Sequence, residues 1–270
     1  MTFVRSPRVT VFPDARTAAR VVAARIAAAL REKPGLVLGL PTGRTPIALY
    51  KELAQLTAAR DLDWSSATTF NLDEVIGVDQ ADPGSYRQFM ERHLFQYVNV
   101  RPERINFLHG TADPEDECRR YERAIAAADG IDMQVLGIGT NGHIGFNEPG
   151  RVLQSRTHRV TLKHETRRSN ATLFGGDPER VPTEALSMGM ATILQARSVI
   201  LMANGQSKAR CIERVVNGPL TTHLPASFLQ LHHDVDVILD TGAASALEMR
   251  DAGFGIRDSG IRDTGLGIRD

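Results

Sequence analysis

The 270-residue sequence predicts an α/β fold, in which a mainly parallel, Rossmann-like sheet is the middle of three layers and helices flank both of its faces. Short apolar runs alternate with longer segments of helical periodicity along residues 9–240. Turns rich in glycine and proline separate these segments. Because strands that are joined by helices run parallel through right-handed crossovers, this alternation predicts the three-layer arrangement.

The elements follow from local signals. Apolar runs typical of buried strands lie at 9–12, 36–40, 68–72, 105–108, 135–139, 198–203 and 235–240. Asp14 is a favourable N-cap for an alanine-rich helix that ends before Pro34-Gly35. Thr45 is predicted to cap the next helix, with Pro46 at its first position. Further helices are predicted at 85–97, 114–128, 183–195 and 207–216.

Two segments do not fit this alternation. Residues 152–182 are polar and weakly periodic, and we interpret them as a lid or excursion from the sheet. The end of the chain contains Gly-Ile-Arg-Asp three times and has little helix propensity. We therefore predict one catalytic domain at residues 1–250 and a flexible, non-catalytic tail at residues 251–270.

Composition excludes several classes of protein. The 32 basic residues balance the 32 acidic ones, so the chain has no built-in attraction for nucleic acid or an anionic membrane. The two cysteines form neither a disulfide framework nor a zinc motif. The amino-terminal residues lack the apolar core of a signal peptide. We expect a cytoplasmic protein with a small-molecule ligand and no nucleic-acid or membrane partner.

Residues 135–150 begin as a buried strand and continue into a glycine-rich loop. Gly137-x-Gly139-x-x-Gly142 matches a dinucleotide-binding fingerprint, which requires a helix to begin at the glycines. Two more glycines and Pro149 follow here, so a long helix is not expected. This missing context argues against dinucleotide binding.

The same loop carries Asn141, His143 and Glu148. An imidazole oriented by a carboxylate is a standard acid/base arrangement. A lone histidine is most often structural, but this one has two polar neighbours in a loop at the carboxyl end of a strand, where open α/β sheets bind their ligands. We predict an acid/base function for His143, with Asn141 and Glu148 holding its imidazole.

Asp73 and Glu74 end another strand. Adjacent strand residues point to opposite faces, so only one of these acids can easily face a common pocket. A partly desolvated carboxylate there is a candidate general base, although two solvated loop acids are the commoner case for such a pair. No set of His, Cys and Asp residues has metal-ligand spacing, and we predict no catalytic metal.

Two other turns have the character of an anion site. The turn at 39–46 offers backbone N–H groups and hydroxyls at a helix N-terminus, from Thr42, Gly43, Arg44 and Thr45. It lacks the Gly-Lys-Ser/Thr of a nucleotide P-loop, and a capped helix without a ligand explains this motif equally well on its own. Lys208 begins a later helix and opposes its dipole, which a phosphate ligand would explain.

Several motifs in register resemble the glucosamine-6-phosphate deaminase (isomerase) family over roughly residues 8–240. They are Gly-Leu-Pro-Thr-Gly-Arg-Thr-Pro at 39–46, Asn-Leu-Asp-Glu-Val at 71–75, Ser85-Tyr86, the glycine-rich loop with Phe-Asn-Glu-Pro at 137–149, Ser-Arg-Thr-His at 155–158 and Leu-Pro-Ala-Ser-Phe-Leu-Gln-Leu-His at 224–232.

The resemblance implies conversion of D-glucosamine 6-phosphate and water to D-fructose 6-phosphate and ammonia, without a cofactor. Asp73 would move the C2 proton toward C1, and His143 would open the pyranose ring with help from Asn141 and Glu148. The phosphate would be held by Thr42, Gly43, Arg44, Thr45 and Lys208. Family members include monomers and hexamers, so the resemblance leaves a homo-oligomer open.

The sequence departs from the family pattern in places. A family arginine that contacts the phosphate aligns with Thr172, and Arg167 or Arg168 are candidates to replace it. Allosteric members bind N-acetylglucosamine 6-phosphate through basic residues that align with His158 and Val160, so we expect this activation to be absent.

Two alternatives stay open. The 6-phosphogluconolactonases have a similar Gly-x-Gly-x-x-Gly-His loop, but they lack the Phe-Asn-Glu-Pro that follows the histidine here. A non-catalytic sugar-phosphate sensor is the second alternative, and retention of Asp73, His143 and Glu148 argues against it.

Overall fold

The computed structural model describes residues 7–247, and these form an α/β fold with two sheets. The strands are β1 (Arg8–Phe12), β2 (Val37–Leu40), β3 (Thr68–Asn71), β4 (Asp73–Val75), β5 (Ile105–Asn106), β6 (Met133–Leu136), β7 (His158–Thr161), β8 (Glu184–Ser187), β9 (Ser198–Ala203) and β10 (Val235–Asp240). The helices are α1 (Ala15–Glu32), α2 (Ile47–Ala58), α3 (Tyr86–His93), α4 (Pro114–Ala127), α5 (His164–Asn170), α6 (Met190–Leu194) and α7 (Ala209–Asn217).

The larger sheet has seven strands in the order β1-β10-β9-β6-β2-β3-β5, and all its pairings are parallel. The predicted α/β fold with a mainly parallel sheet is therefore confirmed. From β2 the chain builds the sheet outward through β3 and β5, and it then returns to place β6 on the other side of β2. Such a reversal of strand order opens a crevice at the carboxyl ends of the two central strands, here β2 and β6.

Apolar side chains cover both faces of this sheet. One cluster packs residues of α1, α2 and α3 against it, and a second packs residues of α4, α6 and α7 against the opposite face. Burial on both faces favours apolar side chains, and β9, with the sequence Ser-Val-Ile-Leu-Met-Ala, is apolar almost throughout for this reason.

The smaller sheet has the order β4-β8-β7, and its strands are antiparallel. It adjoins the larger sheet because only Leu72 separates β3 from β4. The segment at 152–182, interpreted from its sequence as an excursion, contributes β7 and α5, and β7 is an edge strand of this sheet.

Two local predictions were wrong. Residues 184–187 form a strand rather than part of a helix, because pairing with β4 and β7 outweighs helix propensity, and only the short α6 follows. Pro46, not Thr45, stands at the N-cap position of α2, and no side chain caps that helix. The capping by Asp14 is confirmed, because its carboxylate accepts a hydrogen bond from the backbone N–H of Thr17 at 2.7 Å.

The predicted domain boundary at residue 250 and the repetitive tail at 251–270 lie outside the described residues. Among the helices at 7–247, none is both long enough and apolar enough to cross a membrane.

Candidate active site

A cavity of about 750 Å³ lies at the carboxyl end of the larger sheet, in the crevice between β2 and β6. This volume is in the usual range for small-molecule sites, about 300–1,000 Å³. Turns that follow β2, β6 and β9 meet there, with Asp73 from the start of β4 and side chains from α5. The predicted site residues on its wall are Thr42, Gly43, Arg44, Thr45, Asp73, Asn141, His143 and Lys208.

Asp73 faces this cavity with only 6% of its surface exposed. No other residue within 7–247 donates a hydrogen bond to its carboxylate. Burial raises the pKa of Asp73 from 3.8 to about 8, and the neighbouring Glu74 carboxylate contributes in the same direction. A carboxyl group with such a pKa can exchange protons near neutral pH, which suits a general base.

Glu74 points away from the cavity, as the alternation of strand side chains predicts. It is completely buried, and its carboxylate accepts hydrogen bonds from the backbone N–H groups of Val75, Tyr86 and Arg87 at 3.0, 2.9 and 3.1 Å. Burial raises its pKa to about 7, although the three hydrogen bonds act in the opposite direction. The interpretation of both acids as solvated loop residues is therefore wrong, since Glu74 ties β4 to the start of α3.

His143, Asn141 and Glu148 form one cluster. The imidazole Nδ1 of His143 lies 3.7 Å from Glu148 Oε1, and Asn141 Nδ2 donates to Glu148 Oε2 at 2.9 Å. Glu148 does not line the cavity; its side chain is 7% exposed and lies behind His143, whose side chain is 21% exposed. Asn141 orients the carboxylate rather than the ring, and its carbonyl oxygen accepts the backbone N–H of His143 at 3.2 Å.

Burial lowers the pKa of His143 below its usual value, against the opposing effect of Glu148, and the charges of Lys208 and Lys163 lower it further. The imidazole is therefore mainly neutral at pH 7, and it can accept a proton and return it. This is the protonation state that a group needs to begin an acid/base step as the base.

The glycines of the loop make room for these side chains rather than for a dinucleotide. A Cβ on Gly139 would lie 2.3 Å from the imidazole of His143. Gly142 has a φ of +88°, which favours glycine, and a Cβ there would lie 2.2 Å from Leu224. No helix begins at these residues, so the structural context of the dinucleotide fingerprint is missing.

The other end of the cavity is positive. The turn at 42–45, in which Gly43 has a φ of +101°, lies near Lys208, which stands at the N-cap position of α7. Burial lowers the pKa of Lys208 and the charge of Arg44 lowers it further, while Cys211 acts in the opposite direction. A bound anion would relieve this unfavourable arrangement of positive charges.

Sequence reasoning missed Thr166, a buried residue of α5 that also lines the cavity. Its hydroxyl donates a hydrogen bond to Glu148 Oε1. Glu148 is thus held by Thr166 on one oxygen and by Asn141 on the other. No local signal marks Thr166, because the polar segment around it has no clear periodicity and its partner is 18 residues away in the chain.

The candidate replacements for an arginine at Thr172 do not reach the site. Thr172 itself lines the cavity, whereas Arg167 and Arg168 do not. The guanidinium of Arg167 contacts Glu179 at 3.3 Å and the carbonyl oxygen of Val181 at 3.2 Å. Within 7–247, no group of three or more His, Cys, Asp and Glu side chains is arranged to hold a metal ion.

The sequence matches one family model and many glucosamine-6-phosphate deaminases. The family model described as glucosamine-6-phosphate isomerases/6-phosphogluconolactonase matches residues 14–238. A glucosamine-6-phosphate deaminase of Thermoanaerobacter sp. (strain X514) is 45% identical over 223 residues, which cover 82% of this chain and 88% of the relative. One from Clostridium botulinum (strain Kyoto / Type A2) is 44% identical over 244 residues, or 90% of this chain and all of the relative.

Solved structures extend the comparison. A protein described as a monomeric glucosamine-6-phosphate deaminase matches with a TM-score of 0.85 and 41% identity, over 88% of this chain and 99% of the other. A 6-phosphogluconolactonase from Thermotoga maritima matches with a TM-score of 0.68 and 18% identity, over 87% of this chain and 99% of the other. At that identity, the second match indicates a shared fold only.

Proposed function

The chain belongs to the glucosamine-6-phosphate isomerase/6-phosphogluconolactonase family, and from this we propose that it is a glucosamine-6-phosphate deaminase. It converts D-glucosamine 6-phosphate and water to D-fructose 6-phosphate and ammonia, a step in the breakdown of amino sugars. Relatives at about 45% identity over most of the chain carry this name, whereas the lactonase neighbour is only 18% identical.

One observation supports the proposal most strongly. A single cavity contains a carboxylate with a raised pKa, Asp73, and a separate imidazole, His143, which has its own carboxylate behind it. An aldose–ketose shift needs one base over C1 and C2, and opening of the pyranose needs another acid/base group at the ring oxygen. The site supplies both groups from one chain.

In the proposed mechanism, the turn at 42–45 and Lys208 bind the phosphate and fix the direction of the sugar. His143 takes the proton of the anomeric hydroxyl and delivers a proton to the ring oxygen, which opens the ring. Glu148 stabilises the imidazolium that forms between these two transfers.

Asp73 then removes the C2 proton to give an enolamine, and it returns the proton to C1. The resulting C2 imine takes up water and releases ammonia, which leaves the ketose. No step requires a redox cofactor, because the hydrogen moves as a proton and no electrons leave the substrate. Since the carboxylate must be ionised to act as a base, its raised pKa makes the rate depend on pH around 8.

The arrangement favours deamination over lactone hydrolysis, because a lactonase has no need for a second buried carboxylate behind the histidine. It also argues against a silent sensor, since a binding site gains nothing from the unfavourable burial of the Asp73 carboxyl group.

Ammonia release from glucosamine 6-phosphate by wild type and Asp73→Asn tests the function. We expect release by wild type and a loss of at least about 10³-fold in the variant. Hydrolysis of 6-phosphogluconolactone is measured in parallel. Lactone hydrolysis without ammonia release would support the lactonase alternative, and phosphate-ester binding without either reaction would support the sensor.

We also propose that the enzyme acts in the cytoplasm. We further propose that one chain is sufficient for catalysis, because all nine predicted site residues lie within or beside one cavity of a single chain. Sedimentation under assay conditions tests the second point. Activity confined to a homo-oligomer would contradict it.

A further inference from the structure

Asp240, the last residue of β10, has a carboxylate engaged entirely by backbone N–H groups of two turns. Both of its oxygens lie 2.9 Å from the backbone nitrogen of Gly205, and Oδ1 lies 2.7 Å from that of Ala243. Within 7–247, no Lys, Arg or His side chain forms an ion pair with it. Asp240 does not line the cavity, so any effect on a ligand must pass through the residues it holds.

The turn it holds carries the cation at the positive end of the cavity. Gly205 has a φ of +84°, a conformation that side-chain-bearing residues rarely adopt, and it immediately precedes the single 3-10 turn Gln206–Lys208. The backbone N–H of Lys208 donates to the carbonyl oxygen of Gly205 at 3.0 Å. The orientation of the Gly205 peptide therefore sets where the Lys208 side chain begins.

The turn after β10 also supports this segment by close backbone contact. A Cβ on Gly242 would lie 3.0 Å from the backbone nitrogen of Gln206 and 3.2 Å from the carbonyl carbon of Gly205. Asp240 and Gly242 thus hold the segment 204–208 from behind, while Asn204, Ser207 and Lys208 face the cavity.

We propose that Asp240 is a positioning residue that holds the 205–208 turn, and with it Lys208, in the geometry that binds the phosphate of the substrate. A restraint on this turn also opposes the repulsion between the charges of Lys208 and Arg44. A carboxylate suits the task because all its lone pairs accept hydrogen bonds, whereas an amide would turn an NH₂ group toward one of the N–H donors. The inference deepens the proposed function and rests on it for the identity of the phosphate ester.

The experiment compares wild type with Asp240→Ala, Asp240→Asn and the control Asp236→Ala. Asp236 is on the same strand but at its other end, where it pairs with Arg8 and Arg25 away from the cavity. Calorimetry measures the affinity of each protein for inorganic phosphate and for fructose 6-phosphate, and initial rates give kcat and KM for glucosamine 6-phosphate.

We expect phosphate to bind about tenfold more weakly to Asp240→Ala, because the Gly205 N–H of the 205–208 turn loses its charge-assisted hydrogen bond. Binding to Asp240→Asn should weaken about threefold, because the amide keeps one acceptor oxygen. KM should rise by similar factors, while kcat changes less than about twofold because Asp73 and His143 are not displaced. Asp236→Ala should bind both ligands like wild type, although it also loses ion pairs.

Unchanged phosphate affinity in Asp240→Ala would overturn the inference, and so would an equal loss in Asp236→Ala, which would indicate general destabilisation. If Asp240→Ala does not fold, the smaller effect expected for Asp240→Asn decides the matter, and wild-type affinity there would refute it. A wild type that binds both phosphate probes but releases no ammonia would remove the proposed function and leave this inference standing.

Discussion

Replacement of Asp73 with asparagine is expected to stabilise the folded protein at pH 8 while it removes the activity. Asp73 is almost completely buried, it lies beside the buried Glu74, and no described residue compensates its charge with a hydrogen bond. Asparagine has nearly the same shape and no charge. The substitution therefore removes an electrostatic penalty and little packing.

The size of the effect follows from the pKa. Folding raises the pKa of Asp73 from 3.8 to about 8, so the folded state binds a proton that the unfolded state releases over this range. The contribution of Asp73 to stability is therefore lost progressively as the pH rises from about 4 to 8. At about 1.4 kcal/mol per pKa unit the full penalty is about 6 kcal/mol. Because Glu74 shares the repulsion and titrates in the same range, we expect Asp73→Asn to gain about 3–6 kcal/mol in unfolding free energy at pH 8.

Urea unfolding at several pH values measures this difference, and the fluorescence of Trp64, the only tryptophan and completely buried, reports on it. The unfolding free energies of wild type and Asp73→Asn should become equal near pH 4. The exposed Asp61 provides a matched control, and Asp61→Asn should follow wild type throughout. If Asp73→Asn were no more stable than wild type at pH 8, the carboxylate would not be desolvated as its burial implies.

Three further predictions concern activity. In wild type, kcat/KM for ammonia release should rise with pH, with a midpoint near pH 8, and level off above it. Glu74→Gln should move this midpoint to lower pH because it removes a like charge beside Asp73, and an unchanged midpoint would exclude that coupling. Thr166→Val should lower kcat about tenfold in steady-state assays, because Glu148 loses the hydrogen bond from the Thr166 hydroxyl, whereas Thr166→Ser should retain most activity. An equal loss of kcat in both variants would indicate that the packing of the Thr166 methyl group matters instead. Lys208→Ala should raise KM at least about tenfold. Addition of 0.5 M salt should weaken substrate binding to wild type more than to Lys208→Ala, and equal salt dependence in the two proteins would contradict a contact between Lys208 and the phosphate.

The alternation of apolar runs and helical segments was enough to predict the parallel sheet, because burial of a strand on both faces leaves a continuous apolar signature. It also located most of the candidate site. Parallel strands end at one edge of a sheet, so turns at 42–45, 141–148 and 204–208 that are far apart in the chain had to lie near one another. Period-two alternation correctly indicated that Asp73 and Glu74 face opposite ways, although it did not say which of them faces the cavity.

What only the tertiary structure decided depends on partners distant in sequence. Residues 184–187 became a strand because β4 and β7 offered backbone groups to pair with, and local propensity contains no information about them. Thr166 reaches Glu148 from another segment, and Asp240 reaches Gly205 from another strand, so neither has a motif of its own. The sequence determined which side chains stand at the ends of the strands, since that follows from local periodicity. Their burial, and with it the pKa of Asp73, was decided by the packing of the whole chain, because desolvation depends on every segment that excludes water from the site.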